Sequence, residues 1–297
     1  MSGGTLGGTL STAILLTLAA AFTWALTALF MKMGVTSMSR IGFAAVRPWI
    51  GLAFVLPYAL LVGTISFGSP QLVVIAVGGT LLNAVLGTAL FFYAITHAPL
   101  HQASILSNTS PFWGVLSAVI VLGEPANTVA FAAALMIVGG TYFLIEPRKR
   151  KTTHHLLPLL AALASGMLFG FASAVPAKYC LDQGMDPMGY HLLFTSGSAV
   201  MWTLIICPKL VQRRVTFTKR GMVVALISAF FGYFAGWILW LSALDRAPAS
   251  LLSPIGGTSV LFTVLLSVVF LRERLTRRAV MGGILVFVGV LLVSLLS

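Results

Sequence analysis

Charged side chains are scarce in this sequence of 297 residues, at 8% against 59% hydrophobic residues. About a quarter of an ordinary soluble chain is charged, so the composition excludes a typical soluble protein. Carboxylates are much rarer than basic side chains, at six against eighteen. They fall between the long apolar runs or at their ends: Glu124, Glu146, Asp182, Asp186, Asp245 and Glu273. A carboxylate near the middle of a membrane is costly and usually functional, and this sequence offers none there.

Patterns that support catalysis or metal binding are also missing. There is no His-Glu-x-x-His, no aspartate pair inside an apolar run and no serine with a plausible acid partner, which argues against an intramembrane enzyme. The histidines His97 and His101 have no cysteine or carboxylate near them, so we expect neither a metal nor a cofactor. A channel would need a filter or a ring of charges, and neither is evident.

What the sequence has in abundance is long apolar runs, which predict an all-α integral membrane protein. We place transmembrane helices at 10–33, 41–63, 70–96, 100–122, 127–146, 156–178, 187–207, 220–244, 249–271 and 277–296. The protein is therefore expected to lie in a lipid bilayer and to cross it ten times.

The sequence also repeats itself. Shifted by 149 positions, residues 98–124 match residues 247–273 without a gap, and both Pro99 and Glu124 find an identical residue. Chance gives matches of Leu with Leu in apolar sequence, but it does not readily place a proline and a glutamate at the same spacing twice. This indicates an internal duplication, which in membrane proteins is typical of carriers with a site between two halves.

Basic residues predict the topology. All lysines and arginines except Lys178 and Arg246 fall in or beside the connections after predicted helices 1, 3, 5, 7 and 9. We interpret the net charge of +12 as a positive-inside signal and not as a surface for nucleic acid. The basic side is then cytoplasmic, and both termini lie on the other side.

Five helices in each half, an odd number, mean that the second copy enters the membrane upside down. The predicted fold is therefore ten transmembrane helices as two inverted-topology five-helix repeats, with a site near the bilayer midplane. The first repeat spans 1–147, a basic cytoplasmic linker 148–155, and the second repeat 156–297.

The motifs resemble a known family. Leu-Gly-Glu-Pro at 122–125, an apolar segment ending Gly-Gly-Thr at 139–141, Leu-Arg-Glu-Arg-Leu at 271–275 and Phe-Thr-Trp-Ala at 22–25 are similar to hallmarks of the drug/metabolite transporter superfamily. The resemblance is to its ten-helix, two-repeat branch, called EamA-type, and it covers essentially the whole chain.

The resemblance implies a transporter of the bacterial inner membrane that carries amino acids or similar small metabolites, with export favoured. We interpret the duplicated chain as a monomer that works by alternating access. The arginine, amide and aromatic candidates named below suit a neutral or zwitterionic solute; anionic or nucleotide-type metabolites are the alternative. The smaller multidrug relatives use a membrane-embedded glutamate, which this sequence lacks, and that argues against cationic drugs. Members are usually described with cytoplasmic termini, whereas the charges here predict the opposite.

Arg47 is the strongest candidate for a binding residue, because it is a charged residue about two turns inside predicted helix 2. One interpretation is an anchor for a carboxylate or phosphate, which a guanidinium binds with two parallel hydrogen bonds. The other is an arginine whose side chain reaches the nearby interface. The adjacent Pro48 would free a backbone carbonyl and suits a cavity wall.

Further candidates lie on helical stripes. Asn83 and Asn108 need partners in hydrocarbon, so they either bind solute or join helices, and Ser253 is the repeat partner of Ser104. The aromatic candidates are Trp24, Tyr233 and Trp237. For Trp240, near a helix end, an interfacial belt is the stronger interpretation.

His191 is a candidate for a pH-sensitive gate or a solute contact, although a buried, hydrogen-bonded histidine is favoured over either. The expected structural or gating residues are four prolines at flexible points and two glutamates that hold helix ends: Pro48, Pro111, Pro176, Pro254, Glu124 and Glu273.

Overall fold

The computed structural model describes residues 3–62, 65–97, 106–125, 127–144, 156–212, 215–271 and 277–296. All regular elements within these ranges are helices. Their bounds are α1 Gly3–Ser37, α2 Arg40–Val62, α3 70–97, α4 Ser110–Leu122, α5 Thr128–Leu144, α6 Leu156–Asp182, α7 Pro187–Val211, α8 219–244, α9 249–271 and α10 Arg277–Leu296. The bounds lie within a few residues of the predicted ones for most helices, so the prediction of an all-helical protein is confirmed.

Six of these helices are long and apolar enough to cross a membrane: Thr9–Met31, Arg40–Val62, Pro70–Ala94, Leu156–Asp182, Pro187–Val211 and Lys219–Leu244. Four further apolar helices have shorter described stretches, at Ser110–Leu122, Thr128–Gly140, Ala249–Thr263 and Val280–Gly289. Apolar side chains such as Leu61 and Val74 point outwards, at 85% and 72% exposure, as expected of helices that face lipid.

Short polar residues begin several helices. The Asp186 carboxylate accepts hydrogen bonds from the Met188 and Gly189 N–H groups at the start of α7, and Thr218 Oγ1 accepts one from Gly221 at the start of α8. These caps satisfy backbone donors that a helix leaves free in its first turn. They fix where the chain turns back into the bundle.

Two helices contain a π-helical segment, and the two segments occupy the same repeat position. They are Leu81–Gly87 in α3 and Phe230–Gly236 in α8, which are separated by the 149-residue shift. A second irregularity also recurs, because turns at 108–109 and at 257–258 interrupt the helical structure before α4 and within α9. Sequence analysis expected a flexible point in helix 9 at Pro254, and the helical stretch Ala249–Gly256 ends two residues after that proline.

Helix packing follows the same duplication. The α1 helix packs on α8 and α9, and its counterpart α6 packs on α3 and α4. The pairs α2–α7, α4–α9 and α5–α10 each join a helix to its own counterpart. In the α5–α10 pair, Gly140 lets the two backbones lie close together, because a Cβ there would lie 2.7 Å from the Gly282 carbonyl oxygen. The two halves therefore interlock, and the space between them lies at the centre of the bundle.

Candidate functional site

A cavity of about 390 Å³ lies between the two halves. Among the described residues, eight helices contribute to its wall, and none of its lining residues comes from α5 or α10. Its lining residues are Trp24, Thr27, Met31, Ala44, Arg47, Asn83, Ala84, Thr88, Phe91, Asn108, Ser110, Pro111, Gly114, Phe169, Gly170, Ser173, Phe194, Trp202, Gly232, Tyr233, Trp237, Trp240, Ser253, Gly256, Gly257, Ser259 and Val260. Seven of the eight predicted substrate-binding residues meet there, since only His191 is missing from the wall.

The lining repeats between the halves. From α3 it takes Asn83, Ala84, Thr88 and Phe91, and the residues 149 positions later in α8, Gly232, Tyr233, Trp237 and Trp240, all line it as well. Positions 108, 110 and 111 recur in the same way at 257, 259 and 260. The cavity therefore follows the internal symmetry of the bundle, as ligand sites between duplicated halves do.

Among the lining residues that the structure describes, Arg47 alone carries a formal charge, and it is 8% exposed. The guanidinium carbon lies 5.5 Å from the centre of the Phe43 ring and 5.3 Å from that of Tyr233. Within the described residues its Nε has no hydrogen-bond partner and no carboxylate pairs with it. A buried guanidinium needs an anion or several acceptors, so this group is suited to receive one from a ligand.

Gly232 makes room for that guanidinium. A Cβ added there would lie 3.1 Å from Arg47 Nη2 and 2.9 Å from Thr27 Cγ2. The repeat partner of Gly232 is Asn83, which also lines the cavity. In the described part of the chain, no hydrogen bond joins the side chain of Asn83 or Asn108 to another helix. The amides therefore remain available within the cavity.

Aromatic rings make up much of the cavity lining. Trp24 lies 6.5 Å from Trp237 and 5.6 Å from Trp240, between ring centres, and Phe194 lies 3.9 Å from Trp237. The interfacial-belt interpretation of Trp240 was wrong, because this side chain is 2% exposed and its Nε1–H donates to the Ser173 carbonyl at 2.8 Å. The position of Trp240 near a helix end does not show from the sequence that α6 packs over its side chain.

His191 lies behind the cavity and not in its wall. It is fully buried, and its Nε2 lies 2.6 Å from the Tyr233 carbonyl oxygen. Ser253 does line the cavity, close to Gly114, where a Cβ would lie 2.6 Å from Ser253 Oγ. Ser253 was thus correctly placed in the cavity lining and His191 was not. The His191 ring instead contacts the Tyr233 carbonyl, which is distant in sequence and comes close only in the folded protein.

Five aromatic lining residues were not predicted as binding residues: Phe91, Phe169, Phe194, Trp202 and Trp240. For Phe169 a signal existed, since residues 169–170 fall near the repeat position of Trp24. The structure repeats that pairing: a Cβ on Gly236 would meet Trp24 Nε1 at 2.7 Å, and one on Gly87 would meet Phe169 Cε1 at 2.8 Å. Phe194 is likewise the repeat partner of Arg47, whereas no sequence pattern singles out Trp202.

The predicted gating residues are spread around the cavity. Pro111 lines it in the first turn of α4, and Pro254 lies in α9 one turn before the break. Pro48 and Pro176 are buried inside α2 and α6 without ending either helix. The local departures from α-helix lie instead in the π-helical segments and the two turns described above.

The two glutamates predicted to hold helix ends are Glu124 and Glu273, and the structure describes only Glu124. The Glu124 carboxylate accepts hydrogen bonds from the N–H groups of Ala249 and Ser250, both at 2.8 Å. It therefore holds the N-terminus of α9 from the other half of the chain. Glu273 lies outside the described residues, as does His101. Within the described ranges no group of three metal-ligating side chains comes together.

Comparison with known proteins identifies the chain. A family model described as the EamA-like transporter family matches residues 11–146 and again 156–295. This chain belongs to the EamA-like transporter family. The resemblance predicted from the motifs is thereby confirmed, and the two matches correspond to two copies of one unit.

Two of the relatives are distant in sequence and match over nearly the whole length of this chain. The pseudopaline exporter CntI of Pseudomonas aeruginosa is 22% identical over 289 residues, covering 96% of both chains. An uncharacterized transporter of Archaeoglobus fulgidus is 24% identical, covering 95% of this chain and 98% of that one. A solved crystal structure with 20% identity superimposes with a TM-score of 0.83 over 96% of this chain and 97% of the other, and it shows the same fold.

Family membership decides the class of function. EamA-like proteins are transporters and not enzymes, so the protein is a multi-pass membrane transporter of a small-molecule solute. The prediction that it is not an enzyme is confirmed on this ground.

Proposed function

We propose that this protein is a secondary carrier that exports amino acids or similar small zwitterionic metabolites by alternating access. The central cavity would be its binding site. The observation that carries this proposal is Arg47, a buried guanidinium without an anionic partner among the described residues, which lies in a cavity lined by several aromatic rings. Such a site suits a solute with one carboxylate and an apolar part.

The charge and size of the cavity support this substrate class over the alternative. Phosphate groups of a nucleotide-type metabolite carry several negative charges and call for several cations, whereas the described part of the lining holds one charged residue, Arg47. The volume of about 390 Å³ lies near the lower end of ordinary ligand pockets, which span about 300–1,000 Å³. A small metabolite with a single carboxylate fits both properties.

The carrier would have ten membrane-spanning helices in two inverted repeats. Hydrogen bonds between loops support the inversion. Ser39 N–H donates to the Thr216 carbonyl, and Asp186 N–H donates to the Ser66 carbonyl, both at 3.2 Å. Ser39 and Asp186 precede the second helix of their own halves, so one contact recurs in both copies. The two contacts lie at opposite ends of the α2–α7 pair, as expected for copies related by an axis in the membrane plane.

Export and orientation rest on separate arguments. A relative that covers nearly the whole chain is named an exporter, which favours export here. The basic side, with all lysines and arginines except Lys178 and Arg246, would face the cytoplasm of a bacterial cell. A single duplicated chain encloses the whole cavity, and a monomer is therefore the simplest working unit.

Solute flux into proteoliposomes tests the proposal. Vesicles preloaded with unlabelled amino acids should take up labelled amino acids by saturable counterflow, and the corresponding amino-acid amides should compete poorly. Arg47→Ala should weaken the apparent affinity for the acids about 10-fold or more, because a charge-assisted hydrogen bond contributes about 1.5–3 kcal/mol. Arg47→Lys should recover part of it, since the charge returns without the planar fork.

Arg278→Ala is the matched control. This arginine also lies over two aromatic rings, at 5.8 Å from Tyr142 and 5.9 Å from Phe143, but it is not a lining residue. Its variant should transport normally. Equal competition by acids and amides, or normal affinity in Arg47→Ala, would reject Arg47 as the anchor, and flux that does not saturate would reject a carrier in favour of a channel.

A further inference from the structure

Helix α7 contacts both π-helical segments through a ring nitrogen. Trp202 Nε1 donates to the Ala84 carbonyl at 2.8 Å, and His191 Nε2 lies 2.6 Å from the Tyr233 carbonyl oxygen. Ala84 and Tyr233 occupy the same repeat position, 149 residues apart. One helix therefore holds the same carbonyl in both π-helical segments, by a ring nitrogen in each case.

A π-helical turn interrupts the regular i→i+4 hydrogen bonds and is frequent at functional sites. A carbonyl in such a turn needs another donor when it is buried. Because a carbonyl oxygen only accepts, Nε2 of His191 carries the proton and Nδ1 does not. Nδ1 has no partner among the described residues, which is a cost that an apolar residue at this position would avoid. The bond to Tyr233 is thus the polar contact that this histidine makes.

Tyr233 is the link from His191 to the cavity. Its ring lines the cavity and lies 5.3 Å from the Arg47 guanidinium. Gly232, directly before it, leaves the space in which Arg47 Nη2 lies. A fixed backbone at 232–233 therefore holds the Tyr233 ring against the Arg47 guanidinium and keeps the space at Gly232 in which Nη2 lies. His191 itself is fully buried and outside the lining.

We propose that His191 is a positioning residue for Arg47: by donating to the Tyr233 carbonyl it fixes the π-helical turn of α8 and with it the surroundings of the guanidinium. The proposal rests on the proposed function, in which Arg47 receives the carboxylate of the solute. It assigns His191 neither a solute contact nor a proton to transfer. The bond between Trp202 and Ala84 would hold the turn of α3, next to Asn83, in the same way.

The test replaces the donor and measures affinity in reconstituted vesicles. His191→Phe keeps a ring but removes the N–H, and it should raise KM for an amino acid several-fold while changing the maximal rate less. His191→Gln, which returns a side-chain N–H, should restore KM. His97→Phe is the matched control, because His97 also contacts a backbone carbonyl, that of Tyr93 at 2.9 Å, but at an exposed helix end. It should behave as the wild type.

A double-mutant cycle separates positioning from general stability. In the Arg47→Ala background, His191→Phe should cause no further loss of affinity, because the group that it positions is gone. Additive losses, or a normal KM in His191→Phe, would overturn the inference. His191→Leu serves as a second donor-free variant. Failure of both to give folded protein would also overturn it, since His191 would then act on stability.

The same measurements distinguish the two proposals. If Arg47→Ala retains its affinity for amino acids, the proposed function fails whatever His191 does. If Arg47→Ala loses affinity but the His191 variants do not, the binding role of Arg47 stands and only the positioning role fails.

Discussion

Glu124 and Ser250 join the two halves of the protein, because the Glu124 carboxylate accepts the Ser250 N–H at 2.8 Å across 126 residues of sequence. The other carboxylate oxygen accepts the Ala249 N–H at the same distance. A carboxylate at a helix N-terminus satisfies free donors and interacts favourably with the helix dipole. The Leu-Gly-Glu-Pro motif therefore stabilises α9, which lines the cavity through Ser253.

The first prediction concerns that cap. Glu124→Ala should lower the free energy of unfolding by about 1–2 kcal/mol, the usual effect of losing a helix cap. Glu124→Gln should lower it less, since an amide oxygen can still accept one bond. Thermal unfolding in detergent measures both. Asp245→Asn is the control, because that carboxylate is 47% exposed and lies 4.0 Å from Arg246; a loss equal to that of Glu124→Ala would contradict the role of the cap.

The second prediction concerns the space beside Arg47. Gly232→Ala should weaken solute affinity, because the added Cβ would lie 3.1 Å from Arg47 Nη2 and 2.9 Å from Thr27 Cγ2, and overpacking costs about 1–3 kcal/mol. Gly78→Ala adds the same methyl group to α3, where no atom lies within 4 Å, and should be neutral. Counterflow and thermal unfolding should both be measured. Unchanged affinity in Gly232→Ala would show that the guanidinium position does not matter.

The third prediction concerns Phe169, which sequence analysis did not select. Phe169→Ala removes a ring that lines the cavity and lies 6.5 Å from the Phe91 ring. It should raise KM about 10-fold for amino acids with large apolar side chains and much less for small ones, because the lost contact is apolar. Phe287→Ala, at a site that is 57% exposed, is the control. Equal effects on large and small solutes would argue against a direct contact.

The fourth prediction concerns orientation. Epitope tags at either terminus should be accessible from outside in intact cells, and a tag inserted in the linker at 148–155 should require permeabilised cells. The reason is the concentration of lysines and arginines on one predicted side, which is retained in the cytoplasm. Accessible linker tags together with protected termini would reverse the orientation.

Sequence periodicity predicted much of the site because it identifies helix faces. Tyr233, Trp237 and Trp240 share one face of α8, and all three line the cavity. Apolar runs likewise predicted the helices, since backbone groups in a bilayer must bond within their own segment. Sequence analysis expected a flexible point of helix 9 at Pro254, and the structure places the break at 257–258.

The sequence by itself determined the helices, the duplication and the chemical inventory of the site: one arginine, two amides and several tryptophans. These follow from local periodicity and from an internal repeat, which need no knowledge of contacts. Only the tertiary structure decided that Trp240 is buried, that Glu124 caps α9 and that His191 contacts the Tyr233 carbonyl. Each of these depends on a group distant in sequence, which helix packing brings within hydrogen-bonding distance and which no local pattern records.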